Sequence, residues 1–329
     1  MCYNRVCIAR FPNRRAHMEN FIVSLNCVIP MFLTLCVGFL VRRAQVVPEV
    51  MFHHLSTLSF QALLPCLLFY NIYSTDLTAA VQSDLLAYLI AWVLVWFALC
   101  YAYYTLREPD PRRRGAYIQN SFRSNIAVIG VSLAQVMMSS HGVALLSIAI
   151  SLVVPLFNIL AVITLETCRG NRVDLRHTLS GIFHNPLIRA CLLGILFLLL
   201  GIRLPSSVEQ AVSSLGNAGS VTTLLALGAS FRIGGLTGQI WTVVRCSLVR
   251  LVLAPAAALI PAILLGFRGD TLGAILVCVA TPTASSSYPM ALACGSDHEL
   301  TAQLVVSTSL FCSLTLFLWI FLLKQIGLL

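Results

Sequence analysis

The chain has 329 residues, of which 58% are hydrophobic and only 10% charged, with a mean hydropathy of +0.89. An ordinary soluble domain carries about 25% charged residues, so this composition excludes a soluble globular protein and specifies one embedded in a bilayer. The net charge of +9 rests on twenty arginines and one lysine, Lys324. Most arginines lie in short loops between apolar stretches, as in cytoplasmic membrane loops, which makes nucleic acid a poor candidate partner.

In chain order, apolar stretches predict ten spans near 21–41, 54–74, 84–106, 115–138, 142–166, 185–203, 208–231, 240–267, 271–294 and 299–325. Each is long enough for a transmembrane helix of about 20 residues. The loops after spans 1, 3, 5 and 7 hold Arg42 and Arg43, then Arg107 and Arg112 to Arg114, then Arg169, Arg172 and Arg176, then Arg232. The positive-inside rule places these loops in the cytoplasm and both termini outside. The tail of residues 1–20 opposes this with Arg5, Arg10, Arg14 and Arg15. It reads as a signal-peptide start, as a cytoplasmic tail, or as a segment left out when translation begins at Met18; the last is the expectation here.

Residues 168–184 form a basic, polar linker between two halves, 21–167 and 185–329. Landmarks of the first half recur in the second: Pro30, Gly38, Pro48 and Asn125 correspond to Pro186, Gly194, Pro205 and Pro282, 156 or 157 residues later. Each half holds an odd number of spans, so the two insert with opposite orientation, a hallmark of secondary transporters.

Spans 4 and 9 carry the polar residues. If span 4 were one helix, Ser121, Asn125, Val128, Ser132, Gln135 and Ser139 would form a stripe, which must face protein or a watery cavity. Asn125 there reads either as a substrate contact or as hydrogen-bonding glue between helices. In span 9, Pro282 and Pro289 each free a carbonyl, and Thr281, Thr283, Ser285, Ser286 and Ser287 crowd around them. Broken backbone at membrane depth is tolerated only where it lines a cavity or is buried in protein. Arg123 lies about 12 Å into span 4 by helical rise, where it either attracts a carboxylate or snorkels to the surface. Arg189, Arg245 and Arg250, closer to their helix ends, read as snorkelling. Asn158 shares a face of span 5 with Ser151 and Pro155 and is a further pocket candidate.

Carboxylates are almost absent from span interiors, which argues against cation exchange. Neither a nucleophile elbow, a phosphate-binding glycine loop nor metal-ligand histidine spacing occurs, so neither enzyme activity nor a cofactor is expected.

Several segments together resemble the auxin efflux carrier family, including its bacterial malonate-transporter-like members. They are VIPMFLTLCVGFLVRRAQVVPE, LLPCLLF, SFRSNIAVIGVSL, HNPLIRACLLGILFLLLGIRLP, TTLLALGASF and ATPTASSSYPMALACGSDHELTAQLVVSTSL, in order from about residue 21. The resemblance implies an all-α fold of ten transmembrane helices in two inverted five-helix repeats, as in sodium/proton antiporters and bile-acid symporters, with helices 4 and 9 interrupted and crossing near the substrate. Asn125 matches the family's asparagine in the first crossing helix and Pro282 the proline in the second. Ser124 stands where plant members have the crossing proline, and Ser132 where many members have a later one, so span 4 should unwind less sharply than span 9.

The expected function is a secondary carrier of a small organic anion, such as a dicarboxylate or an auxin-like carboxylate, in the bacterial inner membrane. Substrate contacts are expected from Arg123, Ser124, Asn125, Asn158, Thr281, Pro282, Thr283, Ser285 and Ser286. Spans 3–5 and 8–10 are expected to move against spans 1, 2, 6 and 7. A proton- or sodium-coupled carrier of the same fold is the alternative; a membrane-embedded enzyme and a sensor rank below it. A homodimer is left open.

Overall fold

A backbone surrounded by hydrocarbon must satisfy its own hydrogen bonds, which favours helix. Helices are the only regular elements among the residues described by the computed structural model, 14–74, 83–169, 184–231 and 240–329. They are α1 (Arg14–Arg43), α2 (Glu49–Tyr73), α3 (Ser83–Arg107), α4 (Pro111–Phe122), α5 (Ile126–Met137), α6 (Ser140–Thr167), α7 (Pro186–Leu200), α8 (Ser206–Ser230), α9 (Ile240–Leu264), α10 (Gly269–Ala280), α11 (Ser287–Ala293) and α12 (His298–Gln325). Helices α2, α3, α6, α9 and α12 are long and apolar enough to cross a membrane, and α7 and α10 are shorter apolar helices. Helix α1 begins at Arg14, earlier than the expected start of span 1. Arg5, Arg10, Arg172, Arg176, Arg232 and most of the expected linker lie outside the described residues.

Local chemistry sets the ends. Asp110 accepts from the Arg112 amide and Pro111 opens α4; Asn185 accepts from the Leu187 amide and Pro186 opens α7. Ser139 and Asp297 cap α6 and α12 in the same way. These side chains satisfy amide donors that a first turn leaves free. Helices α2 and α9 each contain one π-helical turn, Ser59–Leu63 and Val249–Leu253, shortly before Pro65 and Pro255. A proline cannot donate to the preceding turn, and the widened turn absorbs the mismatch. The Leu251 carbonyl instead accepts from the Trp319 indole at 3.1 Å.

Two packing groups result. In one, α1, α2, α7 and α8 pack against each other. Gly38 and Gly228 let α1 and α8 touch backbone to backbone: a Cβ at Gly38 would lie 2.1 Å from the Leu225 carbonyl oxygen, and one at Gly228 would lie 2.0 Å from that of Leu35. Such close approach needs glycine. In the other group, α3 to α6 and α9 to α12 pack together, and α3, α5, α6, α9 and α12 surround α10, whose residues Leu272 to Ala280 are buried without exception. Helix α1 also packs along α12 and so joins the groups.

Contacts between loops sort the helix ends. Arg42 donates to the Phe231 carbonyl, the Arg112 carbonyl accepts from Ser296 and the Asp297 amide, and Glu166 accepts from Cys294. At other ends, Ser139 donates to Asp270, the Gly269 amide bonds the Leu328 carbonyl, and Tyr73 accepts from the Leu204 amide.

Candidate functional site

Predicted spans 4 and 9 are both interrupted, and the interruptions touch. Span 4 breaks at residues 123–125, where Arg123 is extended (φ −74°, ψ 142°) and Asn125 immediately precedes α5. Span 9 breaks over the longer stretch 281–286, starting at extended Thr281 (φ −69°, ψ 157°). The shorter break lacks a proline and the longer one contains Pro282, matching the expected difference in sharpness. The Asn125 amide donates to the Pro282 carbonyl at 2.8 Å, and the Ser124 and Thr281 hydroxyls hydrogen-bond each other.

A broken helix exposes carbonyls that a bilayer cannot solvate. Several of these have a named donor here. Asn120 O accepts from Thr283 Oγ1 at 2.9 Å, and Ser121 O from Trp96 Nε1 at 3.2 Å. Thr281 O accepts from Arg250 Nη2 at 2.7 Å, and Ala280 O from Cys312 Sγ at 3.8 Å. Thr308 Oγ1 accepts from the Thr283 amide at 3.3 Å. The crossing is therefore a hydrogen-bonded polar knot in an apolar core.

Beside it lies a narrow cavity of about 40 Å³, room for only a few waters. Arg123, Ser124, Asn125, Asn158, Ser285 and Ser286 line it, from the two breaks and α6. The facing wall comes from the other packing group: Leu64, Leu67 and Leu68 of α2, Leu187 of α7 and Ser220 of α8. Of the residues expected at a site, Thr281, Pro282 and Thr283 are outside this lining. They hold the crossing together instead, through the bonds given above.

Arg123 does not snorkel. It is 1% exposed and donates from Nη2 to Asn158 Oδ1 and Ser286 Oγ, both at 2.7 Å, while Nη1 approaches Met290 Sδ at 3.0 Å. Its Nε has no partner, and it forms no ion pair among the described residues. Asn158 is fixed by donating to the Val154 carbonyl at 2.8 Å, and Asn125 Nδ2 reaches Met31 Sδ at 3.3 Å. The N-terminus of α5 opens onto the same cavity through Ala127 and Val128, adding its positive helix dipole to the guanidinium. A buried cation, amide groups and hydroxyls around a cavity can bind a small anion.

Two expectations are corrected. The polar stripe of span 4 is not continuous, because the break resets the helical phase: Ser121 is buried against Tyr104, whereas Ser132, Gln135 and Ser139 are exposed. Arg250 does not snorkel either but is fully buried, with its Nε and Nη1 unbonded. Ser220 and the α2 leucines carry no local signal that could mark them as cavity lining.

A family model described as a membrane transport protein matches residues 23–320. The chain therefore belongs to this membrane transport family, the auxin efflux carriers. It is a transporter of the membrane, not an enzyme. No curated protein matches it.

Proposed function

We propose that the protein is a secondary carrier of a small organic anion, a dicarboxylate or auxin-like carboxylate, working by alternating access at its crossed helix breaks. The observation that carries this reading is Arg123: a guanidinium buried in the cavity with amide and hydroxyl neighbours and no carboxylate paired with it among the described residues. A fixed positive charge away from water is costly unless paired, and an incoming carboxylate supplies the pairing. Asn125, Ser285 and Ser286 would hydrogen-bond it, with Ser124, Thr281, Pro282 and Thr283 keeping the breaks in register.

In this reading the chain is two inverted five-helix repeats, 21–167 and 185–329, making ten crossings. In support, α4 with α5 and α10 with α11 stand at matching positions of the halves. The loops that contact each other fall into two sets, one holding Arg42, Arg112 and Glu166, the other Asp270 and Leu328. The arginine-rich set would face the cytoplasm of the bacterial inner membrane, with both termini outside. The cavity lies between the two packing groups, so sliding one against the other would open it to alternate sides. The small cavity volume then corresponds to a closed stage of that cycle.

The test is flux of a carboxylate panel, led by malonate and indole-3-acetate, in liposomes containing purified protein. Uptake should saturate, and Asn125→Ala should reduce it at least tenfold while the protein remains folded and inserted. Asn125→Ala flux equal to the parent's would refute the site. Running the assay with and without proton and sodium gradients separates a facilitated carrier from a coupled one.

A further inference from the structure

A second cavity, about 480 Å³, lies on the outer flank of the molecule between α3, α4 and α9, away from the crossing. Its rim carries Arg107 at the end of α3 and Arg245 near the start of α9, both exposed and neither hydrogen-bonded nor ion-paired to another described residue. Arg113 is close by, bonded to Tyr117 of the lining at 2.8 Å, and one acid, Glu108, shares the rim. The rim is therefore net positive. From it the groove runs inward past Leu99, Trp96, Val249 and Leu253. Arg107 and Trp96 are 11 residues apart on one helix, so the groove from its basic rim to Trp96 is about 17 Å long by helical rise. Leu99 and Leu253 are 58% and 54% exposed, so the walls continue into the bilayer-facing surface.

We propose that this groove binds one anionic phospholipid, its phosphate on Arg107 and Arg245 and an acyl chain along Trp96, Leu99, Val249 and Leu253. A basic end joined to an apolar trough is complementary to such a lipid, and basic pockets between transmembrane helices bind anionic headgroups. A second copy of this chain fits less well, because it carries a net charge of +9 to a rim that is already positive. Two hydrogen bonds link the wall of this groove to the first helix break. Trp96 donates to the Ser121 carbonyl, and Tyr104, on the same wall, accepts from the Ser121 hydroxyl at 3.1 Å. Ser121 is two residues from Arg123, so the lipid would brace the first helix break. This lipid site does not depend on which solute the protein transports.

The experiment is native mass spectrometry of full-length protein in neutral detergent, titrated with phosphatidylglycerol, with phosphatidylcholine of the same chains, and with glycerol phosphate. One phosphatidylglycerol should bind at least tenfold more tightly than phosphatidylcholine, and glycerol phosphate should not displace it. The double variant Arg107→Gln/Arg245→Gln should weaken it roughly 25-fold, about fivefold for each charge removed. Val249→Trp, which fills the trough but keeps both arginines, should abolish tight binding; Leu99→Trp serves the same purpose should that variant not fold. Equal affinity for the two lipids, unchanged binding in the charge variant, or unchanged binding in a folded trough-filling variant would each overturn the proposal. So would displacement by glycerol phosphate, or a lipid-free dimer that only the trough-filling variants break apart.

Discussion

Replacing Arg123 by Met should separate binding from folding. In the parent, the guanidinium makes two hydrogen bonds at 2.7 Å and leaves Nε unbonded. A carboxylate gripped by that fork gains charge-assisted bonds of about 1.5–3 kcal/mol each. Losing two therefore removes at least about 3 kcal/mol, a loss in affinity of more than about 100-fold. The unliganded protein feels two opposing changes. Asn158 Oδ1 and Ser286 Oγ lose a donor, at about 1–3 kcal/mol for a buried group left unsatisfied. Against this, the cost of holding an unpaired cation away from water disappears. The melting temperature without ligand should consequently move little, while the upward shift produced by the best carboxylate of the panel should vanish. Arg123→Lys keeps the charge but not the planar fork, and should retain part of that shift. The assay is thermal unfolding of purified protein across a carboxylate titration. An Arg123→Met protein with the parent's dose response would refute the role of the guanidinium.

The packing makes further outcomes testable. Gly228→Ala puts a methyl group 2.0 Å from the Leu35 carbonyl oxygen, so α1 and α8 must part; the overpacking should cost about 1–3 kcal/mol, read as a lower melting temperature. If melting is unchanged, the backbone contact between α1 and α8 is not as tight as described. Thr283→Val keeps the side-chain volume but deletes the donor to Asn120 O, which should destabilise the crossing by about 1–3 kcal/mol because a buried carbonyl is left unsatisfied. Unaltered stability in this variant, measured the same way, would mean that the hydroxyl is not holding the two breaks together.

The helices and the location of the breaks are legible in the sequence because their causes are local. Apolar runs of sufficient length specify helices, and Pro282 among five hydroxyl residues marks a place where helix cannot continue. The first break is less visible, since Arg123, Ser124 and Asn125 include no proline; only the polar residues and the family likeness mark it. The π-turns are not legible. One extra residue in the turn Val249–Leu253 changes the helical phase there, and Arg250, read as a surface cation, points inward to Thr281 instead. For the same reason of phase, Ser132 and Gln135 lose their place on the stripe once α5 restarts beyond the break. The facing wall from Leu64, Leu67, Leu187 and Ser220 depends on how distant helices meet, which no local pattern encodes.

The most direct measurement is a cryo-electron microscopy structure of the protein saturated with the carboxylate that most raises its melting temperature. Density for the anion is expected between the Arg123 guanidinium and the Asn125 and Ser286 side chains, with the helix breaks still crossed. Density for the carboxylate elsewhere, with Arg123 still bonded to Asn158, Ser286 and Met290, would contradict it.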